Sequence, residues 1–173
     1  MLRKQKTSYG ERLLRGFVKK CFPNTEILNN YRGAGIINPD TSQPLEIDIY
    51  LPKIKLGFEF NGKQHMTDEA QKYRDKIKKQ QCNEKGIVLI TIWTASLENC
   101  LYEKIKKECE KNGIYNITKP TAKYIREFNY LAHEYKKNIY KMNQEIKNSK
   151  TFVKRRNKKW LKIQWLILEV YLL

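Results

Sequence analysis

The chain has 173 residues, with 35 Lys+Arg against 18 Asp+Glu and a formal net charge of +17. Its 40% apolar content excludes an intrinsically disordered chain and, at this length, predicts a compact domain with a real core. The positive excess calls for a polyanionic partner, either nucleic acid or an acidic membrane surface.

The basic start, Met1 to Lys6, leads into no apolar run, so no signal peptide is expected. The apolar tail from Leu161 to Leu173 is interrupted by Lys162, Gln164 and Glu169. A membrane-spanning helix needs about 20 apolar residues, which this tail does not supply. Cys21, Cys82, Cys100 and Cys109 show no CxxC spacing and read as reduced thiols of a cytoplasmic protein.

In chain order, Ser8–Lys20 predicts a helix burying Leu13, Leu14, Phe17 and Val18, with Ser8 as N-cap and Glu11 completing a capping box. Leu45–Leu51 alternates as a half-buried strand, with Leu45, Ile47, Ile49 and Leu51 on one face and Glu46, Asp48 and Tyr50 on the other. Pro52–Lys55 breaks it, and Leu56–Asn61 alternates again. A helix is expected from Thr67 or Asp68 to Lys85, stopped by Gly86. Ile87–Trp93 reads as a strand covered on both faces, and Ser96–Lys111 as a further helix. This order predicts an α/β domain on a mixed sheet.

Residues 1–110 carry 20 basic and 14 acidic side chains, whereas residues 111–173 carry 15 and 4. The shift places a boundary near Asn112-Gly113, between a catalytic unit of residues 1–112 and a basic helical extension of residues 113–173. In the extension, Ile125, Phe128, Ala132, Tyr135, Ile139, Met142 and Ile146 form a seam at alternating intervals of three and four. Such a seam packs either on the chain's own domain or in a homodimer.

The chemistry concentrates in the hairpin. If Pro52–Lys55 is a four-residue loop, Leu51 faces Leu56, Asp48 faces Glu59 and Glu46 faces Asn61. Directly opposed residues have Cβ atoms about 4.5–5.5 Å apart, and two carboxylates there need a proton or a cation between them. Hard oxygen ligands suit Mg²⁺, with Asp48 and Glu59 as the pair that holds it. His65 follows closely and can orient or deprotonate water. Asp75 and Lys78 stand at i and i+3 of the next helix, where a modest surface ion pair is the ordinary outcome.

Together, Ser8-x-x-Glu11, Asn30-x-Arg32, Glu46 through Pro52, and Phe58-Glu59-Phe60-Asn61-Gly62-x-x-His65 resemble the PD-(D/E)xK nuclease superfamily. The similarity is narrowest to its very-short-patch-repair-like branch, which includes phage and intron homing endonucleases. Arg74 to Lys78, Cys82 and the Ile87–Trp93 strand fit the same branch, so the resemblance covers residues 8–93. It implies a restriction-endonuclease-like mixed sheet flanked by helices and a metal-dependent DNA endonuclease using Mg²⁺ or Mn²⁺, with no small-molecule cofactor. It also implies catalytic roles for Glu11, Asp48, Glu59 and His65, with Asn61, Gln64, Asp75 and Lys78 as auxiliaries. Two positions depart from the pattern. Asn61 stands where many members carry lysine, which shifts the burden to His65 or Lys78, and Gln64 replaces an aromatic.

Duplex DNA is the expected partner. Arg32, Lys63 and the cluster Lys154, Arg155, Arg156, Lys158 and Lys159 are candidate phosphate contacts. A catalytically impaired DNA-binding derivative and a basic membrane-surface or partner-binding protein are the two rival readings.

Overall fold

The computed structural model describes residues 8–62, 69–97 and 100–145. Helix α1 spans Tyr9–Cys21, with the Ser8 hydroxyl accepting from the Glu11 N–H at 3.1 Å. Its buried side carries Leu14, Phe17, Val18 and Cys21. Four strands follow: β1 (Leu28–Tyr31), β2 (Ile47–Leu51), β3 (Leu56–Asn61) and β4 (Val88–Trp93). They form one mixed sheet in the order β1-β2-β3-β4, with β1–β2 and β2–β3 antiparallel and β3–β4 parallel. Helices α2 (Glu69–Glu84) and α3 (Leu101–Lys111) flank β4 in sequence, so the fold is a mixed-sheet α/β domain as expected.

The hairpin closes in the expected register. A 3₁₀ turn at Pro52–Ile54 and a left-handed Lys55 (φ 48°) set Leu51 opposite Leu56 and Ile49 opposite Phe58. Gly57 in β3 has a packing reason: a Cβ there would lie 2.9 Å from Leu89 Cδ1 and 3.1 Å from Ile47 Cγ2. Ile47 clusters with Ile36, Tyr50, Cys82 and Ile87, so the strict alternation expected for residues 45–51 gives way at its start. Burial is the other correction. Every residue of β3 is buried, including Glu59 and Asn61, because it is an interior strand with Phe22 against Phe58 and Lys78 of α2 against Glu59.

Three further boundaries differ from expectation. Strand β1 has no alternating signal in Leu-Asn-Asn-Tyr, and Asn30 within it is left-handed (φ 52°). Strand β4 is the edge of the described sheet, and Val88, Leu89 and Thr91 are only half-buried, so it is not covered on both faces. Helix α3 starts at Leu101 instead of Ser96, because Thr94–Ser96 form a 3₁₀ turn and Cys100 is left-handed (φ 58°). The end of α2 follows the sequence: Gly86 (φ 66°) sends its N–H to the Asn83 carbonyl, and Ile87 sends its own to Cys82, a Schellman stop.

Residues 122–145 are helical, opened by the Thr121 hydroxyl accepting from the Tyr124 N–H at 3.3 Å. Phe128 and Ala132 are buried, and the Phe128 ring lies 4.6 Å from that of Phe17 on α1. The first part of the seam therefore packs on the chain's own domain. The chain divides into two compact units after His133, so residues 113–133 belong with the first unit, not with an extension beginning at residue 113. Ile146 lies outside the described residues. Among the described residues no helix is long and apolar enough to cross a membrane.

If residues 122–133 are integral to the domain, Phe128→Ala costs about 3–5 kcal/mol, as for other buried aromatic truncations. Urea unfolding should show that loss with little change in slope; a cost near zero would return this helix to the extension.

Candidate functional site

Strand β3 brings a carboxylate into the centre of the sheet. Glu59 is 7% exposed, and its Oε2 accepts from Lys78 Nζ of α2 at 2.7 Å. Lys78 is itself 9% exposed, so this is a buried pair and not the surface Asp75–Lys78 pair expected from spacing. Asp75 instead accepts from Gln71 Nε2 at 2.8 Å. Beyond the rung Ile49↔Phe58, the Asp48 carboxylate accepts from the Phe60 N–H at 2.8 Å, which ties β2 to β3 through a side chain.

The Glu59 carboxyl is pushed up to about 8, first by burial and then by the charge of Asp48, against the opposing pull of Lys78. Asp48 is raised as well, by burial above all, while the Phe60 N–H and Lys78 favour its charged form. Two carboxylates beside one ammonium leave the site short of positive charge. Burial and the proximity of Asp48 thus favour the neutral form of Glu59, and the Lys78 ammonium offsets part of the repulsion between the two carboxylates.

The first helix supplies the third carboxylate. Glu11 is held by an ion pair to Arg15, one turn along α1. It is raised by burial and then by Asp48, which places it at the same cluster. Arg15 Nη2 also donates to Asn30 Oδ1 at 2.5 Å and to the Asp48 carbonyl at 3.5 Å. Asn30 Nδ2 donates to Glu46 at 2.6 Å, and Glu46 accepts from Arg32 at 3.1 Å. Arg32, expected as a phosphate contact, is thus tied to Glu46 and the Pro44 carbonyl. The left-handed Asn30 is a conformation that Asn tolerates better than most residues, and it carries the carboxamide that bridges Arg15 to Glu46.

Whether this set suits a divalent cation turns on its unused acceptors. Glu59 Oε1 and Asn61 Oδ1 are buried without a hydrogen-bond partner. They belong to residues two apart on β3, beside Asp48 in the adjacent strand. Two buried oxygens with no donor are costly as they stand and are the hard ligands that Mg²⁺ takes. Among the described residues no three His, Cys, Asp or Glu side chains form a metal-holding group. The fit therefore rests on a mixed set of Asp48, Glu59 and the Asn61 carboxamide.

Of the residues expected in the site, Glu11, Asp48, Glu59, Asn61 and Lys78 converge. Lys63, Gln64 and His65 lie outside the described residues, as do Lys154, Arg155, Arg156, Lys158, Lys159 and Leu161 to Leu173. Arg15 and the bridging roles of Asn30 and Glu46 were not foreseen. The i,i+4 spacing of Glu11 and Arg15 was the available signal for the first of these.

A carboxyl raised in the folded state holds a proton that the unfolded chain has released. Its stabilising contribution is full below the ordinary value of 4.5 and is lost as pH rises through about 8. The stability of the parent relative to Glu59→Gln should therefore fall across that window in metal-free buffer. Chemical denaturation at a series of pH values measures the difference; a relative stability that rises with pH would contradict the assignment.

The chain is 35% identical over 127 residues to the uncharacterized protein 307L of Invertebrate iridescent virus 6, covering 58% of this chain and 64% of that protein. It is 41% identical over 90 residues to the uncharacterized protein 033L of Invertebrate iridescent virus 3, covering 43% of this chain and 46% of the relative. It is 34% identical over 73 residues to the uncharacterized protein 094L of Frog virus 3, covering 35% and 47%. The matched stretches thus span about half to two thirds of these curated relatives. No family model and no solved structure matches the chain.

Proposed function

We propose that the chain is a metal-dependent DNA endonuclease with a restriction-endonuclease-like fold, site-selective and of the phage or mobile-element kind. The observation that carries this is the buried meeting of Asp48, Glu59 and Lys78 beside two oxygens that lack a donor. Asp48, Glu59 and Asn61 would hold a Mg²⁺ or Mn²⁺ ion. When bound, that ion supplies Lewis-acid polarisation of a phosphodiester.

The remaining chemistry belongs to the chain. Lys78 answers the substitution of Asn61 for lysine. It reaches from α2 to the same carboxylate, where a positive group can neutralise charge developing on the phosphoryl oxygens. Glu11, raised by burial and by Asp48, is the supporting carboxylate. Arg15 holds it in place. His65 is the residue to which the family resemblance gives water activation. Lys63 and the cluster Lys154, Arg155, Arg156, Lys158 and Lys159 would supply phosphate contacts, which carry much of the sequence-independent affinity for duplex DNA.

The test is cleavage of a genomic-library plasmid pool with Mg²⁺ or Mn²⁺. Asp48→Asn should lower the rate by at least about 100-fold, and Lys78→Met by a similar factor. Cleavage by Asp48→Asn at the parent rate would remove the active-site assignment. Salt-sensitive duplex binding without cleavage in either metal would favour the catalytically impaired DNA-binding alternative.

A further inference from the structure

A second feature shares Arg15 with the carboxylate cluster. A cavity of about 330 Å³ is lined by Arg15, Lys19, Thr25 and Asn29, among others. No acidic side chain lines it. Arg15 and Lys19 are one turn apart on α1 and so share a side of the helix. Lys19 is exposed and, among the described residues, makes no ion pair, whereas its neighbour Lys20 lies over the Tyr124 ring at 5.6 Å.

The second observation concerns Arg15 itself. Its Nη2 serves Glu11, Asn30 and the Asp48 carbonyl, while its Nε is buried without an acceptor. A buried N–H left unmade costs about 1–3 kcal/mol, and such a group calls for an explanation. An anionic oxygen brought to this cavity adds a negative group beside an arginine whose hydrogen bonding is incomplete. It also gives the Lys19 ammonium a counter-ion and the Thr25 hydroxyl an acceptor. Planar guanidinium with ammonium and hydroxyl donors is a phosphate-recognising set.

We propose that this cavity is a phosphate subsite, taking a backbone phosphodiester of the nucleic-acid substrate next to the one addressed by Asp48 and Glu59. The assignment rests on the nuclease reading, because Arg15 belongs to both places: the residue lines the cavity, and its guanidinium grips Glu11 and the Asp48 carbonyl. An occupied subsite fixes the register of the strand relative to the carboxylates through a contact blind to base sequence.

The experiment measures binding of a fluorescent DNA duplex to the whole chain, without divalent metal, across a salt series. Lys19→Gln should weaken binding roughly tenfold, equally for unrelated sequences, and lower the log–log salt slope by about one. Thr25→Val should weaken it less and leave the slope alone, while Lys107→Gln on α3 should change neither. Parent-like affinity and slope in both Lys19→Gln and Thr25→Val would overturn the subsite and leave the nuclease reading standing. A second arm follows the thermal midpoint with inorganic phosphate. Stabilisation lost in Lys19→Gln supports the anion site, and if the parent then binds no duplex, both the nucleic-acid occupant and the nuclease reading fall. Equal response of parent and Lys19→Gln to phosphate would count against the anion site.

Discussion

The arrangement depends on one buried carboxylate. Glu59 sits in a strand whose every residue is buried, paired by backbone to β2 on one side and β4 on the other. A charge in that position is expensive to keep, and truncating its partner would leave it stranded. The Lys78 ammonium offsets part of that cost from α2, and burial pushes the carboxyl towards its neutral form. What remains is an oxygen with no donor, with a second from Asn61 nearby in the chain. A fold that only needed a stable core would place an apolar residue here.

Other elements are arranged around this point. The Asp48 carboxylate gives up a solvent position to bind the Phe60 N–H, which locks β2 against β3 at the site's edge. Helix α1 contributes Glu11 and Arg15, and Arg15 reaches across to β1 and β2 through Asn30 and the Asp48 carbonyl. The bridge continues to Glu46 and Arg32. Apart from the Glu11–Arg15 pair within α1, each of these contacts joins separate elements, so the carboxylates are held largely by the tertiary fold.

Much of this was legible in the residues. The four-residue break at Pro52–Lys55 and the alternation around it were enough to set Leu51 opposite Leu56; the ladder ends at Ile49↔Phe58, and Asp48 comes close to Glu59 while its carboxylate takes the Phe60 N–H. Ser8 and Gly86 marked helix ends because cap chemistry is local. Strand β1 was not legible: its four residues carry no alternation, and Asn30 adopts a conformation favoured only by what its side chain meets. The Lys78–Glu59 pair was open only through the family resemblance, where Lys78 was one candidate to replace the missing lysine. On the helix alone, Asp75 is the nearest acid, and only the packing of α2 on the sheet brings β3 closer. Strand β4 read as doubly covered from its apolar run, yet its place at the sheet's edge is a property of strand order, which no single segment encodes.

The central claim is that Asp48, Glu59 and Asn61 form a cation site kept closed by a proton and by Lys78. Calorimetric titration with Mn²⁺ near pH 7, repeated in buffers of different ionisation enthalpy, tests it most directly. Because burial pushes the Glu59 carboxyl up to about 8, the account predicts saturable binding of metal to the parent with release of close to one proton. It also predicts loss of both binding and proton release in Glu59→Gln. Metal uptake without proton release, or uptake unchanged by Glu59→Gln, would contradict it.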